Sequence, residues 1–283
     1  MEKNVINTDL TNKTAVVTGA GGVLCSDFAK ALARAGAKVA LLDINIESAE
    51  SVANEINAEG GTAVAYKCDV LDRQMCETVA EKIKNSLGDC DILINGAGGN
   101  NPKATTDDEY FEMENIGTGK KSFFNLDTEG ISFVFRLNFL GALIPTQVFA
   151  KQMIGREGCN IINISSMNAY TPLTKIPAYS GAKAAVSNFT QWLAVYFSKV
   201  GIRVNAIAPG FFSTRQNASL LFNDDGTPTA RTGKILSATP MNRFGTANEL
   251  EGALLFLLNN EAAGFLTGVI LPIDGGFSAY SGV

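Results

Sequence analysis

Apolar runs of strand length alternate along the chain with longer amphipathic segments. The runs that we predict as strands cover residues 14–18, 38–43, 62–67, 91–95, 160–165, 202–207 and 269–273. The segments that we predict as helices cover residues 23–35, 46–59, 73–87, 130–154, 178–199 and 247–259. Strands that are apolar throughout belong in a sheet covered on both faces, and strand–helix alternation makes the strands parallel. The sequence therefore predicts an α/β fold with a doubly wound parallel sheet in three αβα layers.

Two long polar stretches interrupt this alternation, at residues 98–130 and 211–245. Each follows a predicted strand, so both should lie over the carboxyl edge of the sheet, where open α/β folds bind their ligands. Since we find no repeat, low-complexity segment or linker, we predict one domain over residues 1–283 with these two stretches as substrate loops. Between them, Pro145 lies within a predicted helix and should kink it.

The 283-residue chain contains no histidine. This excludes Ser-His-Asp and Cys-His catalysis and any histidine-ligated zinc, so acid–base chemistry has to use Tyr, Lys, Asp, Glu or Cys. The five cysteines form no C-x-x-C pair and no zinc spacing. Such cysteines are typical of buried thiols in a reducing cytosol. We therefore expect no metal and a cytoplasmic location.

The charge and hydropathy patterns bear on possible partners. The net charge is −5 and no basic cluster appears, so we expect no nucleic-acid partner. The first residues, MEKNVINTDL, contain no apolar signal-type segment. We find no run that reaches the ~18 apolar residues of a membrane helix, so we expect no membrane association.

A glycine-rich turn, TGAGGVLC at residues 18–25, joins the first predicted strand to the first predicted helix. Gly19, Gly21 and Gly22 permit positive φ angles and close approach of the backbone, and the following helix would point its N–H groups at a phosphate. The turn lacks a clean G-x-G-x-x-G pattern because Leu24 stands at the third glycine position. From these residues alone, a phosphate site and an ordinary tight turn both remain open.

The second predicted strand ends at Asp43, 24 residues after Gly19. A carboxylate at this spacing accepts hydrogen bonds from the adenosine ribose hydroxyls and repels a 2′-phosphate, which favours NAD. The next residues, Ile44 and Asn45, offer no cation for a 2′-phosphate. The alternative is an acid that caps the following helix.

Three further residues carry the strongest indication of chemistry. Tyr179 and Lys183 are four residues apart, so they share one face of a helix. Ser166 ends a predicted strand 13 residues before Tyr179. A Y-x-x-x-K pair alone usually reflects surface packing, but here it accompanies a serine, a candidate nucleotide turn and a complete lack of histidine.

Seven stretches together resemble one family in order and spacing. They are TGAGGVLC at residues 18–25, CDV at 68–70, NGAG at 95–98, LNFLG at 137–141, NISS at 163–166, YSGAK at 179–183 and NAIAPGFFST at 205–214. With them the chain resembles the short-chain dehydrogenase/reductase family over nearly its whole length. The resemblance implies a Rossmann fold, an NAD(P) cofactor and the interconversion of carbonyl and alcohol groups.

The resemblance also implies roles for four catalytic residues. Tyr179 looks like the acid–base group, and Lys183 looks like the residue that lowers the pKa of Tyr179 and holds the nicotinamide ribose. Ser166 looks like the donor to the substrate oxygen, and Asn138 looks like the anchor of a proton-relay water. Lowering a phenol pKa from about 10 by ~3 units requires ~4 kcal/mol, which a nearby ammonium and the positive nicotinamide can supply.

A set of cofactor-binding residues follows from the same resemblance. Asp69 would bind adenine, Asn95 would stabilise the central sheet, and Thr214 would contact the nicotinamide carboxamide. The full predicted set for NAD is Thr18, Gly19, Gly21, Gly22, Val23, Leu24, Asp43, Asp69, Val70, Asn95, Ala97, Gly98, Tyr179, Lys183, Pro209, Gly210, Phe212 and Thr214.

The sequence departs from the family pattern at three places. Gly96 stands where the family more often has a second asparagine, and residues 98–130 are longer than in most members. Cys25 stands at a glycine position of the spacing T-G-x-x-G-x-x-G, which the turn otherwise keeps with Thr18, Gly19 and Gly22. We expect Cys25 to fill a tight helix–strand contact rather than to act in redox chemistry.

The substrate is indicated by finer similarity. The stretches NISSMNAY, LTKIPAYS and PIDGGFSAYSGV are most similar to the branch of the family that interconverts D-fructuronate and D-mannonate. A sugar acid needs a cation for its carboxylate and polar groups for its hydroxyls. We predict Arg215 as the carboxylate ligand. Other polar residues predicted to face the substrate are Asn168, Lys103, Asn100, Asn101, Gln216 and Asn217.

Other functions remain open at this stage. One is another polyol or sugar-acid dehydrogenase such as gluconate 5-dehydrogenase. A reductase acting on an acyl carrier protein is disfavoured because no basic docking patch stands out. A non-catalytic NAD sensor would belong to a different class. The family resemblance also implies a homo-oligomer, a dimer or tetramer.

Overall fold

The computed structural model describes residues 7–213, 221–223 and 225–282. Within these residues seven parallel strands form one sheet in the order β3-β2-β1-β4-β5-β6-β7. The strands are β1 (Thr14–Thr18), β2 (Lys38–Asp43), β3 (Thr62–Lys67), β4 (Ile92–Asn95), β5 (Cys159–Ile164), β6 (Ile202–Pro209) and β7 (Ile270–Ile273). The predicted parallel sheet is confirmed.

Helices cover both faces of this sheet. They are α1 (Val23–Arg34), α2 (Ile46–Ala58), α3 (Arg73–Ser86), α4 (Thr128–Phe135), α5 (Gly141–Met153), α6 (Pro177–Tyr196), α7 (Ala230–Ser237), α8 (Ala247–Leu258) and α9 (Asn260–Ala263). The predicted αβα layering is confirmed, since each face of the sheet has its own apolar core. The core under α1, α2 and α8 includes Phe28, Ile56 and Leu254. The core under α3, α5 and α6 includes Ile83, Phe149 and Leu193.

The predicted helix 130–154 is longer and less regular than expected. It begins at Thr128, where the side chain of Asp127 accepts hydrogen bonds from the first turn. Between α4 and α5, Arg136–Leu140 form a π-helical turn. Pro145 lies inside α5, which continues to Met153. The departure from α-helical bonding thus lies at the π-helical turn, before the proline.

The same helical stretch bears on whether the chain could span a membrane. Thr128–Met153 are, by length and composition, apolar enough to do so, with a window of mean hydropathy 1.4. Half of that window is buried inside the protein. Its helices α4 and α5 pack on α6 and α3, as core helices do.

The two predicted loops contain more structure than the sequence indicated. Residues 98–130 include three short 3₁₀ turns, at Pro102–Ala104, Met113–Asn115 and Phe123–Asn125. Residues 211–245 contain helix α7, whereas the sequence predicts a loop there. Both stretches follow strands that end at the carboxyl edge of the sheet. Since the order in which successive strands are added to the sheet reverses between β1 and β4, the carboxyl edge beside these two strands holds the crevice in which such folds bind ligands.

Candidate active site

The glycine turn after β1 is built for close backbone approach. Gly19 has φ 66°, and a β-carbon there would lie 2.9 Å from the Cα of Ala97. Gly22 is the residue before α1 and has no side chain with which to cap the N–H groups of the first helical turn. Free helix N–H groups attract anions. The geometry therefore favours a phosphate site over an ordinary tight turn.

Asp43 closes one end of this turn. Its Oδ2 accepts a hydrogen bond from the N–H of Gly21 at 2.9 Å, and its Oδ1 accepts one from the N–H of Asn45 at 2.9 Å. Helix α2 is capped by the side chain of Asn45, not by Asp43, so the alternative role of Asp43 as helix cap is excluded. Each carboxylate oxygen keeps a free lone pair with which it can accept a hydroxyl hydrogen bond.

Thr18 and Asn95 lie beneath the site. The Thr18 hydroxyl accepts hydrogen bonds from the N–H groups of Gly96 at 3.1 Å and Ala97 at 3.3 Å, which ties the turn after β4 to the end of β1. The amide of Asn95 donates to Thr146 on α5 at 2.9 Å and to Asn163 on β5 at 2.8 Å. Both residues are buried and support the cavity from below.

Asn163 extends this buried polar chain across the sheet. Its amide donates to the hydroxyl of Thr190 on α6 at 2.8 Å. Helices α5 and α6 are therefore connected through the side chains of β4 and β5. Because α6 also carries Tyr179 and Lys183, this series of hydrogen-bonded side chains holds the reacting groups in place relative to the sheet.

Two departures from the family pattern meet in space. A β-carbon on Gly96 would overlap the Sγ atom of Cys25. Cys25 is buried, and burial raises the pKa of its thiol to about 12. Cys25 therefore fills the contact between α1 and the turn after β4, and its raised thiol pKa disfavours the thiolate form.

Ser166, Tyr179 and Lys183 converge at the opposite end of the crevice. The Ser166 hydroxyl is hydrogen-bonded to the Tyr179 hydroxyl and accepts a hydrogen bond from the N–H of Asn168 at 3.2 Å. The ammonium of Lys183 donates to the carbonyl of Ile164 at 2.8 Å and lies 5.6 Å from the centre of the Tyr179 ring. The three side chains form one cluster between β5 and α6.

Burial controls the protonation of this cluster. Burial raises the pKa of Tyr179, while the hydrogen bond from Ser166 opposes the increase. Burial lowers the pKa of Lys183 to about 8, and the nearby Cys25 opposes the decrease. The predicted role of Lys183 in lowering the tyrosine pKa also involves the positive nicotinamide, and it stays a prediction. The ammonium is engaged with the Ile164 carbonyl, and desolvation of the phenolate dominates.

Asn138 lies in the π-helical turn and is fully buried. Its amide donates to the carbonyls of Gly99 and Val134, both at 2.8 Å, and its Oδ1 accepts from the N–H of Gly99 at 3.2 Å. A β-carbon on Gly98 would lie 2.6 Å from that Oδ1 and 3.1 Å from the ammonium of Lys183. The turn after β4 therefore passes between Asn138 and Lys183 only because residue 98 is a glycine.

These elements enclose a cavity of about 550 Å³. It is lined by most of the predicted cofactor residues, namely Gly19, Gly21, Gly22, Val23, Leu24, Asp43, Asp69, Val70, Ala97, Gly98, Tyr179, Lys183, Pro209 and Gly210. A cavity of this size, with glycine-lined backbone at its centre and a carboxylate at one end, fits a dinucleotide. The residues present therefore fit the predicted cofactor.

Three predicted cofactor residues are placed elsewhere, and a fourth is not described. Thr18 and Asn95 lie beneath the cavity, and Phe212 lines a separate one with Gly245. Thr214 lies outside the described residues.

Sequence reasoning missed part of the cavity lining. The additional residues are Cys25, Ile44, Ser48, Cys68, Gly96, Gly99, Leu137, Ile164 and Ser165. Several of them are adjacent in the chain to residues that we predicted, so including the flanking residues of each stretch would have found them. Ser48 comes from α2, and only the packing of that helix against the glycine turn reveals it.

The predicted substrate residues are dispersed. Lys103 is exposed and lies 3.7 Å from Asp127, and Asn100 donates to Thr105 at 3.1 Å. Asn101 accepts from the N–H of Lys103. None of these three residues lines the cofactor cavity.

The remaining predicted substrate residues are placed as follows. Asn168 is buried behind Ser166, with its Oδ1 lacking a hydrogen-bond partner among the described residues. Arg215, Gln216 and Asn217 lie outside the described part of the chain.

A second cavity, of about 440 Å³, includes Ile176, the residue that directly precedes α6. It is lined by Thr105, Glu109, Leu173, Thr174, Lys175, Ile176, Phe211, Ala230, Arg231, Lys234, Ile235, Ala238 and Phe277. These residues come from both long loops, from the segment before α6 and from α7. The sequence did not predict this cavity, because it depends on helix α7.

Comparison with known proteins identifies the class that this fold and site define. The family described as short chain dehydrogenase matches residues 13–224. The chain belongs to this family of oxidoreductases.

One similar solved structure carries a more specific description. It is a Haemophilus influenzae protein provisionally described as a D-mannonate oxidoreductase, with bound NAD. It is 63% identical, covers 99% of this chain and 99% of its own, and has a TM-score of 0.95.

Two other relatives, each 32% identical, act on different compounds by name. The 7alpha-hydroxysteroid dehydrogenase of Escherichia coli matches 96% of this chain and 97% of its own length. The gluconate 5-dehydrogenase of Gluconobacter oxydans matches 95% of this chain and 96% of its own length.

Proposed function

We propose that the protein is an NAD-dependent oxidoreductase that interconverts a keto group and a secondary alcohol on a sugar acid, with D-fructuronate and D-mannonate as the substrate pair. The observation that carries the proposal is that Ser166, Tyr179 and Lys183 open into the same cavity as the glycine turn and Asp43. The two hydroxyls that can donate to a carbonyl oxygen and the backbone that can bind a dinucleotide therefore line the same cavity. This arrangement suits transfer of a hydride to a carbonyl carbon.

NAD is the cofactor. The carboxylate of Asp43 lies where the adenosine ribose would bind, and it would repel a 2′-phosphate. The exposed Ile44 beside it carries no charge to offset that repulsion. The NAD bound to the Haemophilus influenzae relative agrees with this assignment.

Tyr179 acts as the acid in the direction of reduction. Bound NADH supplies the hydride. Since burial raises the pKa of Tyr179, its hydroxyl is protonated at neutral pH and ready to donate to the carbonyl oxygen. Ser166, already hydrogen-bonded to Tyr179, would turn its hydroxyl toward the same oxygen and stabilise the charge that develops there.

Lys183 and Asn138 support this proton transfer. With a pKa of about 8, Lys183 is mostly protonated at neutral pH, so its ammonium can hold the nicotinamide ribose and favour the tyrosinate left after donation. Both amide hydrogens of Asn138 are engaged with backbone carbonyls. A relay water would therefore bind the remaining lone pair of its Oδ1 or a backbone group of the π-helical turn.

The sugar-acid assignment rests on similarity. The Haemophilus influenzae relative is provisionally described as acting on D-mannonate, and a more distant relative acts on gluconate. The sequence predicts Arg215 as the carboxylate ligand, and this stays a prediction that is tested against a second arginine below. Asn168, Lys103 and Asn100 remain predicted substrate contacts. Gluconate 5-dehydrogenase activity is the second candidate, favoured by the relative of that name.

The test is a panel of keto acids assayed by NADH oxidation. D-fructuronate, D-tagaturonate and 5-keto-D-gluconate are compared at saturating NADH, and D-fructuronate is repeated with NADPH. We expect the highest kcat/KM for D-fructuronate with NADH. A higher kcat/KM for 5-keto-D-gluconate would favour the second candidate, and no turnover of any of the three would refute the sugar-acid assignment.

We also propose that the protein forms a cytoplasmic homo-oligomer. The outer face of α6 supports this, because Trp192 and Tyr196 are more than half exposed and stack with ring centres 4.8 Å apart. Exposed aromatic patches of this kind commonly pack against another chain. Light scattering coupled to size exclusion would give the mass of a dimer or tetramer, and a mass near 29.9 kDa would contradict the proposal.

A further inference from the structure

The second cavity carries an excess of positive charge. Lys175, Arg231 and Lys234 line it, and Glu109 is the acidic residue among its lining. Glu109 is bound to Lys234 at 2.7 Å, and this contact lowers the pKa of the Glu109 carboxyl. Among the residues that the structure describes, Lys175 and Arg231 form no ion pair, although Lys175 is close enough to Glu109 to lower its pKa further.

Lys175 and Arg231 differ in how they are held. Lys175 has a left-handed φ of 73°, and its ammonium donates to the backbone carbonyl of Asp107 at 2.6 Å. Its two other N–H groups remain available. Within the described part of the chain, the guanidinium of Arg231 makes no hydrogen bond or ion pair, although it lines a cavity. Arg231 therefore has its full set of donors available for a ligand.

The rest of the lining suits an organic acid rather than an inorganic ion. Leu173, Ile176 and Phe277 are apolar, while Thr105 and Thr174 supply hydroxyls. A ligand with a carbon chain, hydroxyls and one negative charge would find a partner for each part.

The cavity lies beside the reacting groups. Ile176 directly precedes α6, and Tyr179 follows three residues later, so the two are about 4.5 Å apart along the helix axis. Phe211 lines the second cavity and is bonded in the chain to Gly210, which lines the cofactor cavity. We therefore place a substrate whose keto group contacts Ser166 and Tyr179 with its other end directed toward the second cavity.

We infer that Arg231, assisted by Lys175, binds the carboxylate of the substrate. The inference rests on the proposed sugar-acid function and deepens it. In D-fructuronate the carboxylate stands at the end of the carbon chain that is far from the keto group, so it can reach cations that lie away from Ser166 and Tyr179. A guanidinium binds a carboxylate through two parallel hydrogen bonds, whereas the ammonium of Lys175 acts as a point charge. Arg231 is therefore the residue that distinguishes acids from neutral sugars.

The experiment compares a charged and a neutral substrate of the same shape. NADH oxidation is measured with D-fructuronate and with D-fructose, which has a hydroxymethyl group in place of the carboxylate. For Arg231→Ala we expect KM for D-fructuronate to rise about 10- to 100-fold, as for loss of a charged hydrogen-bonded pair. The kcat should change little, because the lost contact is remote from the reacting carbonyl. The kcat/KM for D-fructose should stay within about twofold, and Arg231→Lys should recover part of the loss.

Two variants serve as comparisons. Arg34→Ala removes an equally charged side chain, half exposed and paired with Glu251 at the far end of α1, and should leave both substrates unaffected. Arg215→Ala tests the other arginine. A selective loss of D-fructuronate in Arg215→Ala but not in Arg231→Ala would overturn the inference, as would equal losses for both substrates in Arg231→Ala.

A binding measurement separates this inference from the proposed function. D-mannonate and its neutral counterpart D-mannitol are titrated into the NADH-saturated enzyme. If the wild type binds D-mannonate and reduces D-fructuronate but Arg231→Ala does so equally well, only the inference fails. If the wild type neither binds D-mannonate nor reduces D-fructuronate, the proposed function fails, and the inference is overturned with it.

Discussion

The Sγ atom of Cys25 fills the space in which a β-carbon on residue 96 would stand. Cys25 belongs to the first turn of α1 and Gly96 to the turn after β4, so the contact joins the two segments that shape the floor of the cofactor cavity. The family pattern has its glycine on the helix and more often a larger residue after β4. This chain has the larger residue on the helix and the glycine after β4.

This relationship predicts strong coupling between the two positions. Gly96→Ala should destabilise the protein by about 1–3 kcal/mol, as overpacking does. Cys25→Gly should cost about 1 kcal/mol through lost packing and helix propensity. The free energy of unfolding of the double variant should exceed, by about 1 kcal/mol, the value expected if the two single costs simply added. Recovery should be incomplete, because the new β-carbon would still lie 2.9 Å from the carbonyl oxygen of Thr18. Urea unfolding of the four proteins measures the coupling, and strictly additive costs would contradict it.

The carboxylate of Asp43 predicts which cofactor variants are accepted. Asp43→Asn combined with Ile44→Arg removes the charge that repels a 2′-phosphate and adds one that attracts it. We expect kcat/KM for NADPH to rise by about tenfold or more and kcat/KM for NADH to fall. The single variant Ile44→Arg serves as control, and its kcat/KM for NADPH should rise less than that of the double variant. If both variants prefer NADH as strongly as the wild type, Asp43 does not determine the choice of cofactor.

The pKa of Lys183 predicts a pH dependence. With its pKa lowered to about 8, Lys183 loses its positive charge as the pH rises through that value, while Tyr179, with a raised pKa, stays protonated in this range. Since kcat/KM for NADH reports ionisations of the free enzyme, it should be constant near neutral pH and fall above about pH 8. Lys183→Arg should move this decline beyond the measured range, because a guanidinium does not titrate there. A wild-type profile that is constant to pH 10 would exclude the assignment.

The buried polar chain between α5 and α6 predicts a stability effect. Thr190→Val keeps the shape of the side chain but leaves the amide of Asn163 without its acceptor. An unsatisfied buried donor costs about 1–3 kcal/mol, so the free energy of unfolding should fall by that amount. Thr78→Val, at an exposed threonine of α3 that bonds its own helix, is the matched control and should change stability by less than about 0.5 kcal/mol. Equal losses of stability in the two variants would show that the buried hydrogen bond between Asn163 and Thr190 contributes no more than an exposed one.

The fold was predictable because its strands are continuous apolar runs. A strand such as β1, Thr14–Thr18, is buried at every residue and is bounded by a glycine turn, so both its existence and its ends are evident in the sequence. Helix α7 was missed because Ala230–Ser237 contain few apolar residues within a long polar stretch. The π-helical turn was missed since hydrophobic periodicity does not distinguish it from an α-helix. Its residue Asn138 was nonetheless singled out by the family resemblance.

The candidate site was predictable where neighbours in sequence are also neighbours in space. The spacing of Tyr179 and Lys183 already placed both on one helical face. The contact between Cys25 and Gly96 joins residues far apart in the chain, so no spacing indicates it. The raised pKa of Tyr179 depends on how deeply the finished fold buries the ring, and sequence shows only that a lysine is near.

The central claim is that Tyr179 transfers a proton in an NADH-dependent reduction of a sugar acid. The most direct measurement is D-fructuronate-dependent NADH oxidation by the wild type and by Tyr179→Phe, with NADH affinity measured for both by fluorescence. We predict that the substitution lowers kcat at least about 100-fold, as loss of a general acid does, while NADH affinity stays within about threefold. A Tyr179→Phe enzyme that retains wild-type turnover would contradict the account.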